Sequence, residues 1–281
     1  MTAPLSSPPV IIYGAARSGT TYLVQIFNKH PEVYVSDETR IFAWVHDAYH
    51  RLTADERTSY RKRDEFVDYL RRKLPGLVRD FYRELAPYAL WWGDKNPHYV
   101  HPHNGGCLET ILELFPHARF IHIIRDGRDV VTSGLRGVWT DFDSVHRMWT
   151  SHLEIGCGFG RALPADQYFE FRYEDLIRDD LAMARRLFEF VGIKMHPAVE
   201  RFCRAQQEER TPFCTPSRDI REDVTRSDWA HYLTSEQQRE SLDHLGEALV
   251  RYGYETDESL QAARQSVADR RRRQRTAGNR R

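Results

Sequence analysis

The chain alternates short, wholly apolar runs with longer stretches in which apolar residues recur at helical spacing. Val10-Ile11-Ile12-Tyr13 is continuous and apolar, as a strand buried on both faces must be. Leu23, Ile26 and Phe27 follow at i, i+3 and i+4 and predict an amphipathic helix, which Pro31 ends. Residues 33–35 form a second candidate strand. Residues 41–90 carry Phe42, Trp44, Phe66, Tyr69, Leu70, Phe81 and Tyr82 among many charges. This stretch is too long for a simple crossover and predicts a helical insertion suited to walling a pocket. Residues 90–98 predict a short strand that breaks into a loop, with Lys95 where the strand ends. Leu108, Ile111, Leu112 and Phe115 predict a helix stopped by Pro116, and residues 119–124 are the strongest strand, expected at the sheet centre. A helix over 143–163 with Trp149 and Leu153, a strand over 167–173 and one helix from Glu174 to Gly192 come next. A polar loop, 211–229, then precedes a last amphipathic helix, 234–253, capped by Thr234, Ser235 and Glu236. The alternation of strands and helices predicts an α/β class, a three-layer α/β/α arrangement on a central, mostly parallel sheet.

The link between the first strand and helix is Gly14-Ala-Ala-Arg17-Ser18-Gly19-Thr20-Thr21. Two glycines let the backbone turn and approach a ligand. The loop N–H groups and the helix N-terminus then converge as an anion site. The glycine spacing is that of a phosphate-binding P-loop, yet Thr20 stands where a nucleoside triphosphatase has Lys, and the cation is Arg17 instead. Such a loop lacks the main charge on β/γ-phosphates, so it suits a phosphate-like group that is not a metal-bound triphosphate. A second anion element follows the central strand: Arg125 at its C-terminal edge and Ser133 eight residues on, within the next helix. Asp37 and Glu38 end the second strand, where open α/β sheets place ligand sites. Two anion sites with no metal-ligand cluster suggest a nucleotide with two separated anionic groups.

Composition changes this picture little. The 281 residues are 41% hydrophobic and 12% aromatic, enough for a sizeable core. No apolar run reaches the length of a membrane helix, and residues 1–9 show no signal-peptide pattern. The four cysteines, Cys107, Cys157, Cys203 and Cys214, have no metal-ligand spacing. The expectation is a cytoplasmic protein with reduced thiols. Net charge is zero, but residues 264–281 hold eight Arg and one Asp, leaving a globular part of net −7. A single domain over 1–260, with 41–90 as insertion, and a basic, flexible tail over 261–281 are expected. No nucleic-acid motif accompanies the tail.

Taken together, Arg17-Ser-Gly-Thr-Thr21, Arg125 with Ser133, and Arg172-Tyr173-Glu-Asp-Leu176 resemble, in order and spacing, the sulfotransferases that use 3′-phosphoadenosine-5′-phosphosulfate (PAPS). The resemblance covers roughly residues 10–255 and implies a P-loop-like fold. It also implies PAPS as co-substrate and no metal. Arg17, Ser18, Gly19, Thr20 and Thr21 would hold the 5′-phosphosulfate, Arg125 and Ser133 the 3′-phosphate, and Tyr173 the adenine. Arg17, rather than Lys, is similar to the tyrosylprotein and carbohydrate-type branches. Glu38 in Glu-Thr-Arg40 matches the catalytic base of the tyrosylprotein branch, and Lys95 matches the lysine that assists the leaving group. Asn96 departs from that branch's Lys-Asp-Pro. His98 ranks second as base, by similarity to a histidine of the cytosolic branch. Arg218 and Arg226 are candidate 3′-phosphate contacts, and Trp229 a candidate adenine neighbour. A small-molecule, glycoside or lipid hydroxyl is expected as acceptor ahead of protein tyrosine, with no nucleic-acid partner. A P-loop kinase of a small alcohol and a non-catalytic nucleotide-binding protein are the rival readings.

Overall fold

The computed structural model describes residue 5 and residues 7–54, 63–136, 141–209 and 229–278. Five strands form one parallel sheet: β1 (Val10–Tyr13), β2 (Val33–Asp37), β3 (Trp91–Lys95), β4 (Arg119–Ile124) and β5 (Tyr168–Arg172). Their order across the sheet is β2-β3-β1-β4-β5, every pairing parallel. β1 therefore lies at the centre, and the loops after β1, β3 and β4 meet at one end of the sheet.

The two-residue strand period divides the core. Val10 and Ile12 of β1, with Ile121 and Ile123 of β4, face α1 (Thr20–Asn28), α8 (Asp180–Val191) and α9 (Pro197–Glu209), where Leu23, Phe27, Leu187 and Phe188 are buried. Ile11 and Tyr13, with Trp92 and Phe120, face the other way. They meet α2 (Ile41–Ala54), α3 (Arg63–Leu85) and α4 (Cys107–Leu114) through Phe42, Tyr82 and Ile111. This is the expected three-layer arrangement, and within 41–90 the chain is helical over α2 and α3. A third cluster joins α5 (Gly127–Leu135), α6 (Phe142–Gly160), the short α10 (Trp229–Tyr232) and α11 (Ser235–Arg251). Thr234 caps α11 in a reciprocal box with Gln237.

Two expectations are corrected. The single helix expected from Glu174 to Gly192 is two, α7 (Tyr173–Arg178) and α8. Asp179 separates them, because its carboxylate accepts from the Ala182 N–H at 2.9 Å and caps a new helix there. Of the stretch expected as a flexible tail, residues 261–278 lie within α12 (Asp257–Gly278). Leu260 and Val267 on α12 are buried against Leu242, Leu245 and Leu249 of α11, and the Arg264 guanidinium donates to the Leu242 carbonyl at 3.0 Å. The seven-residue apolar stripe outweighs the arginine run that follows it. Among the described residues no helix is long and apolar enough to cross a membrane.

Candidate active site

The loop after β1 turns into α1 at Gly19, which has φ 89°. A side chain there would be strained, and its Cβ would lie 2.3 Å from the Tyr173 ring. No side chain caps the N-terminus of α1, so its first N–H groups remain available to an anion. Ser18 is fully buried and its hydroxyl has no hydrogen-bond partner. Arg17 has φ 72°, a left-handed conformation that non-glycine residues rarely adopt. Its Nε donates to Ser133 Oγ at 3.0 Å, and its carbonyl accepts from Arg125 at 2.9 Å. The two anion elements, 116 residues apart in sequence between Arg17 and Ser133, are thus one site.

Arg125 leaves the end of β4 with its guanidinium over the Tyr173 ring, 4.6 Å from the centroid. Its Nε is buried without a partner. Tyr173 therefore packs between the Gly19 turn and Arg125. Behind them Asp126 caps α5 through the Arg128 N–H at 2.9 Å, and the Arg128 guanidinium bridges Asp126 and Glu255. This buried bridge ties the segment to the linker before α12. Asp129, in the first turn of α5, is pushed up to about 7 by burial and by the neighbouring Asp126 carboxylate.

On the other side of β1, the parallel register sets Asp37 of β2 opposite Lys95 of β3. Lys95 is 2% exposed. Its ammonium pairs with Asp37 and with Glu38, the latter at 2.8 Å, and lies 3.4 Å from Thr21 Oγ1. The Glu38 N–H donates to the Lys95 carbonyl at 2.8 Å. A buried ammonium with two half-exposed carboxylates therefore abuts the anion loop. His98 lies in the 3-10 turn beyond β3, its N–H bonded to Asn96 Oδ1 at 2.9 Å. Burial, followed by the Arg40 charge, holds its imidazole below the usual histidine value.

The fold thus brings Arg17, Ser18, Gly19, Thr20, Thr21, Arg125, Ser133 and Tyr173 together, with Glu38 and Lys95 beside them. Arg218 and Arg226 lie outside the described residues. Asp37, placed by the sequence at a ligand-binding strand end, is also a contact of Lys95, and that pairing was not expected. Its signal is the register of β2 on β3, visible only once the two strands are known to be neighbours. The fold also gathers His122, Cys157 and Glu170, whose ligating atoms lie within 4.8 Å of one another, a grouping the cysteine spacing does not reveal. Glu170 is already engaged there by the Tyr168 hydroxyl at 2.5 Å and by Arg161 at 3.2 Å.

The profile of the Sulfotransferase family matches residues 8–197. The chain is 26% identical over 203 residues to protein-tyrosine sulfotransferase A of Caenorhabditis elegans, which covers 67% of this chain and 50% of that protein. It is 28% identical over 162 residues to the omega-hydroxy-beta-dihydromenaquinone-9 sulfotransferase of Mycobacterium bovis, covering 53% of this chain and 38% of that one. The chain thus spans about half the length of the curated relatives it matches, or less. In structure it is similar to a mouse sulfotransferase crystallised with PAP, at TM-score 0.51 and 13% identity over 92% of this chain and 88% of that chain.

Proposed function

Because the chain belongs to the sulfotransferase family over most of its length, we propose that it moves a sulfuryl group from PAPS to a hydroxyl of an acceptor, in line and without a metal. The observation that carries this reading is the Lys95 ammonium, held by Asp37 and Glu38 within 3.4 Å of Thr21 in the anion loop. It puts a proton acceptor and a cation at one edge of an oxyanion cradle. The residues present fit the nucleotide. Ser18 Oγ and Arg125 Nε are buried donors with no partner, one in each anion element, and a buried donor left unpaired is costly. Adenosine 3′,5′-bisphosphate (PAP) in the mouse neighbour supports the same choice.

Glu38 takes the acceptor proton as the acceptor oxygen forms its bond to sulfur. The bond from sulfur to the bridging phosphate oxygen breaks, and its electron pair goes to that oxygen. Lys95 and Arg17 offset the charge that develops there, the role a metal ion fills in many phosphoryl transfers. The α1 N-terminus and the Ser18–Thr21 backbone orient the 5′-phosphate, and Arg125 with Ser133 selects the 3′-phosphate. Positioning and charge do most of the work. Glu38 ranks ahead of His98 as base, since its carboxylate touches the Lys95 ammonium. Trp44, near the start of α2 and a few residues after Glu38, is 74% exposed. A small-molecule, glycoside or lipid hydroxyl is the acceptor we favour over protein tyrosine, on the ground that Asn96 departs from the Lys-Asp-Pro segment of the tyrosylprotein branch.

Calorimetric titration with PAP, AMP and ADP, without metal, tests the reading. PAP is expected to bind at micromolar concentration and the other two much more weakly. Arg125→Ala is expected to weaken PAP about 10- to 100-fold, as the loss of a charge-assisted contact does, and to leave ADP unchanged. Equal binding of all three nucleotides would remove the sulfotransfer reading.

A further inference from the structure

β3 carries a second functional side chain, one residue before Lys95. The two-residue strand period turns Asp94 to the opposite face, toward α2 and α3. Its carboxylate is fully buried, and among the described residues no cation pairs with it. Hydroxyls and one amide hold it instead. Ser36 Oγ, Thr39 Oγ1 at 2.8 Å and the Thr39 N–H at 3.3 Å donate to Oδ1, and the Tyr99 hydroxyl donates to Oδ2. Tyr82, also buried, joins Ser36 Oγ at 2.8 Å and Thr39 Oγ1 at 3.3 Å through its hydroxyl.

Ser36 and Thr39 bracket Asp37 and Glu38, the two acids on Lys95. The backbone between and after the brackets is strained: Glu38 and Arg40 both have φ 61°, in the left-handed region. Such a conformation persists only where its surroundings over-determine it. Asp94 supplies that constraint, since a single carboxylate oxygen fastens both ends of the two-residue segment.

We propose that Asp94 is a positioning residue that clamps Ser36 and Thr39 so that the Glu38 carboxylate stays aimed at Lys95 and the acceptor. The proposal rests on the sulfotransfer reading for its kinetic consequence but not for its structural one. Two conservative variants separate positioning from mere stability, because each removes one hydroxyl from Asp94. Thr39→Val removes the shorter of the two Thr39 contacts, on the Glu38 side, and leaves the Thr39 N–H at 3.3 Å; Tyr99→Phe removes the tether away from it.

Thr39→Val and Asp94→Asn are expected to lower kcat about 10- to 100-fold, as a displacement near 1 Å does, with PAP affinity within about twofold of wild type. Tyr99→Phe should keep kcat within about threefold although its Tm falls by as much as that of Thr39→Val. Amide hydrogen exchange is the readout that needs no turnover. The Glu38 and Thr39 amides should exchange about tenfold faster in Thr39→Val and Asp94→Asn, and at the wild-type rate in Tyr99→Phe. Equal loss of kcat in Tyr99→Phe and Thr39→Val would overturn the proposal, as would unchanged exchange at Glu38 in Thr39→Val. Absent PAP binding by the wild type would instead count against the sulfotransfer reading, with the exchange comparison still deciding the clamp.

Discussion

At the scale of single residues, the site depends on a cation that water barely reaches. The Lys95 ammonium is buried, while its partners Asp37 and Glu38 are each about half exposed, with side chains at 45%. The asymmetry fixes what each substitution does. Glu38→Gln leaves a carbonyl that still accepts from Lys95 Nζ, so the local geometry and the nucleotide site survive, but the proton acceptor is gone. Initial-rate kinetics should show kcat lower by about 10²- to 10⁴-fold, with PAP affinity unchanged by calorimetry. Lys95→Met leaves two carboxylates without their counter-charge. Being half exposed, they regain water, so stability should fall by no more than about 1 kcal/mol, whereas kcat should fall by about 10²- to 10³-fold through lost stabilisation of the leaving oxygen. Full turnover in Glu38→Gln would move the base to His98.

At the scale of elements, the parts proposed to carry the nucleotide were legible because each is written in one continuous segment. The β1 loop and α1 need only the glycine spacing, the apolar run before it and the helical stripe after it. Arg125 and Ser133 need one strand end and two turns of helix. What the sequence did not disclose depends on pairing between distant segments. Asp37 meets Lys95, and Asp94 meets Thr39, only because β2 lies beside β3 in parallel register, and no local periodicity encodes that neighbourhood. α12 was hidden differently: its arginines dominate the composition, while two buried residues per two turns fix its fate. Leu260 is 5% exposed and lies against Gly246 of α11. Leu260→Ala should therefore cost about 2–4 kcal/mol in urea unfolding, and Arg270→Ala, at an exposed position, less than about 0.5 kcal/mol. Comparable losses for the two would mean that α12 is held by charge and not by its stripe.

At the scale of the whole molecule, the pH dependence of stability balances buried groups of opposite sign. His152 of α6 is buried, its ring edge-on to His101 at 5.4 Å, and neither ring nitrogen has a partner. Burial, then the His101 and His98 charges, push it down to about 3. His146, also buried on α6, is pushed down to about 4, mainly by burial. The unfolded chain protonates these imidazoles near pH 6.5, where the native state does not. Their contribution is present above pH 6.5 and is lost as pH falls from there toward 3 and 4. Asp129 acts the other way. Its folded value near 7 exceeds the unfolded carboxylate value, so its contribution is present at low pH and is lost as pH rises through 7. A wild-type stability profile therefore mixes both trends, and only a difference between variants isolates one group. His152→Phe keeps a flat ring in an apolar place and removes one titration. Between pH 7 and pH 5 it should lose about 2 kcal/mol less stability than wild type in urea unfolding, the value that linkage gives for one proton bound only by the unfolded chain. Parallel profiles for the two proteins would show that His152 takes up its proton in the native state, and that its packing against His101 opens before the fold does.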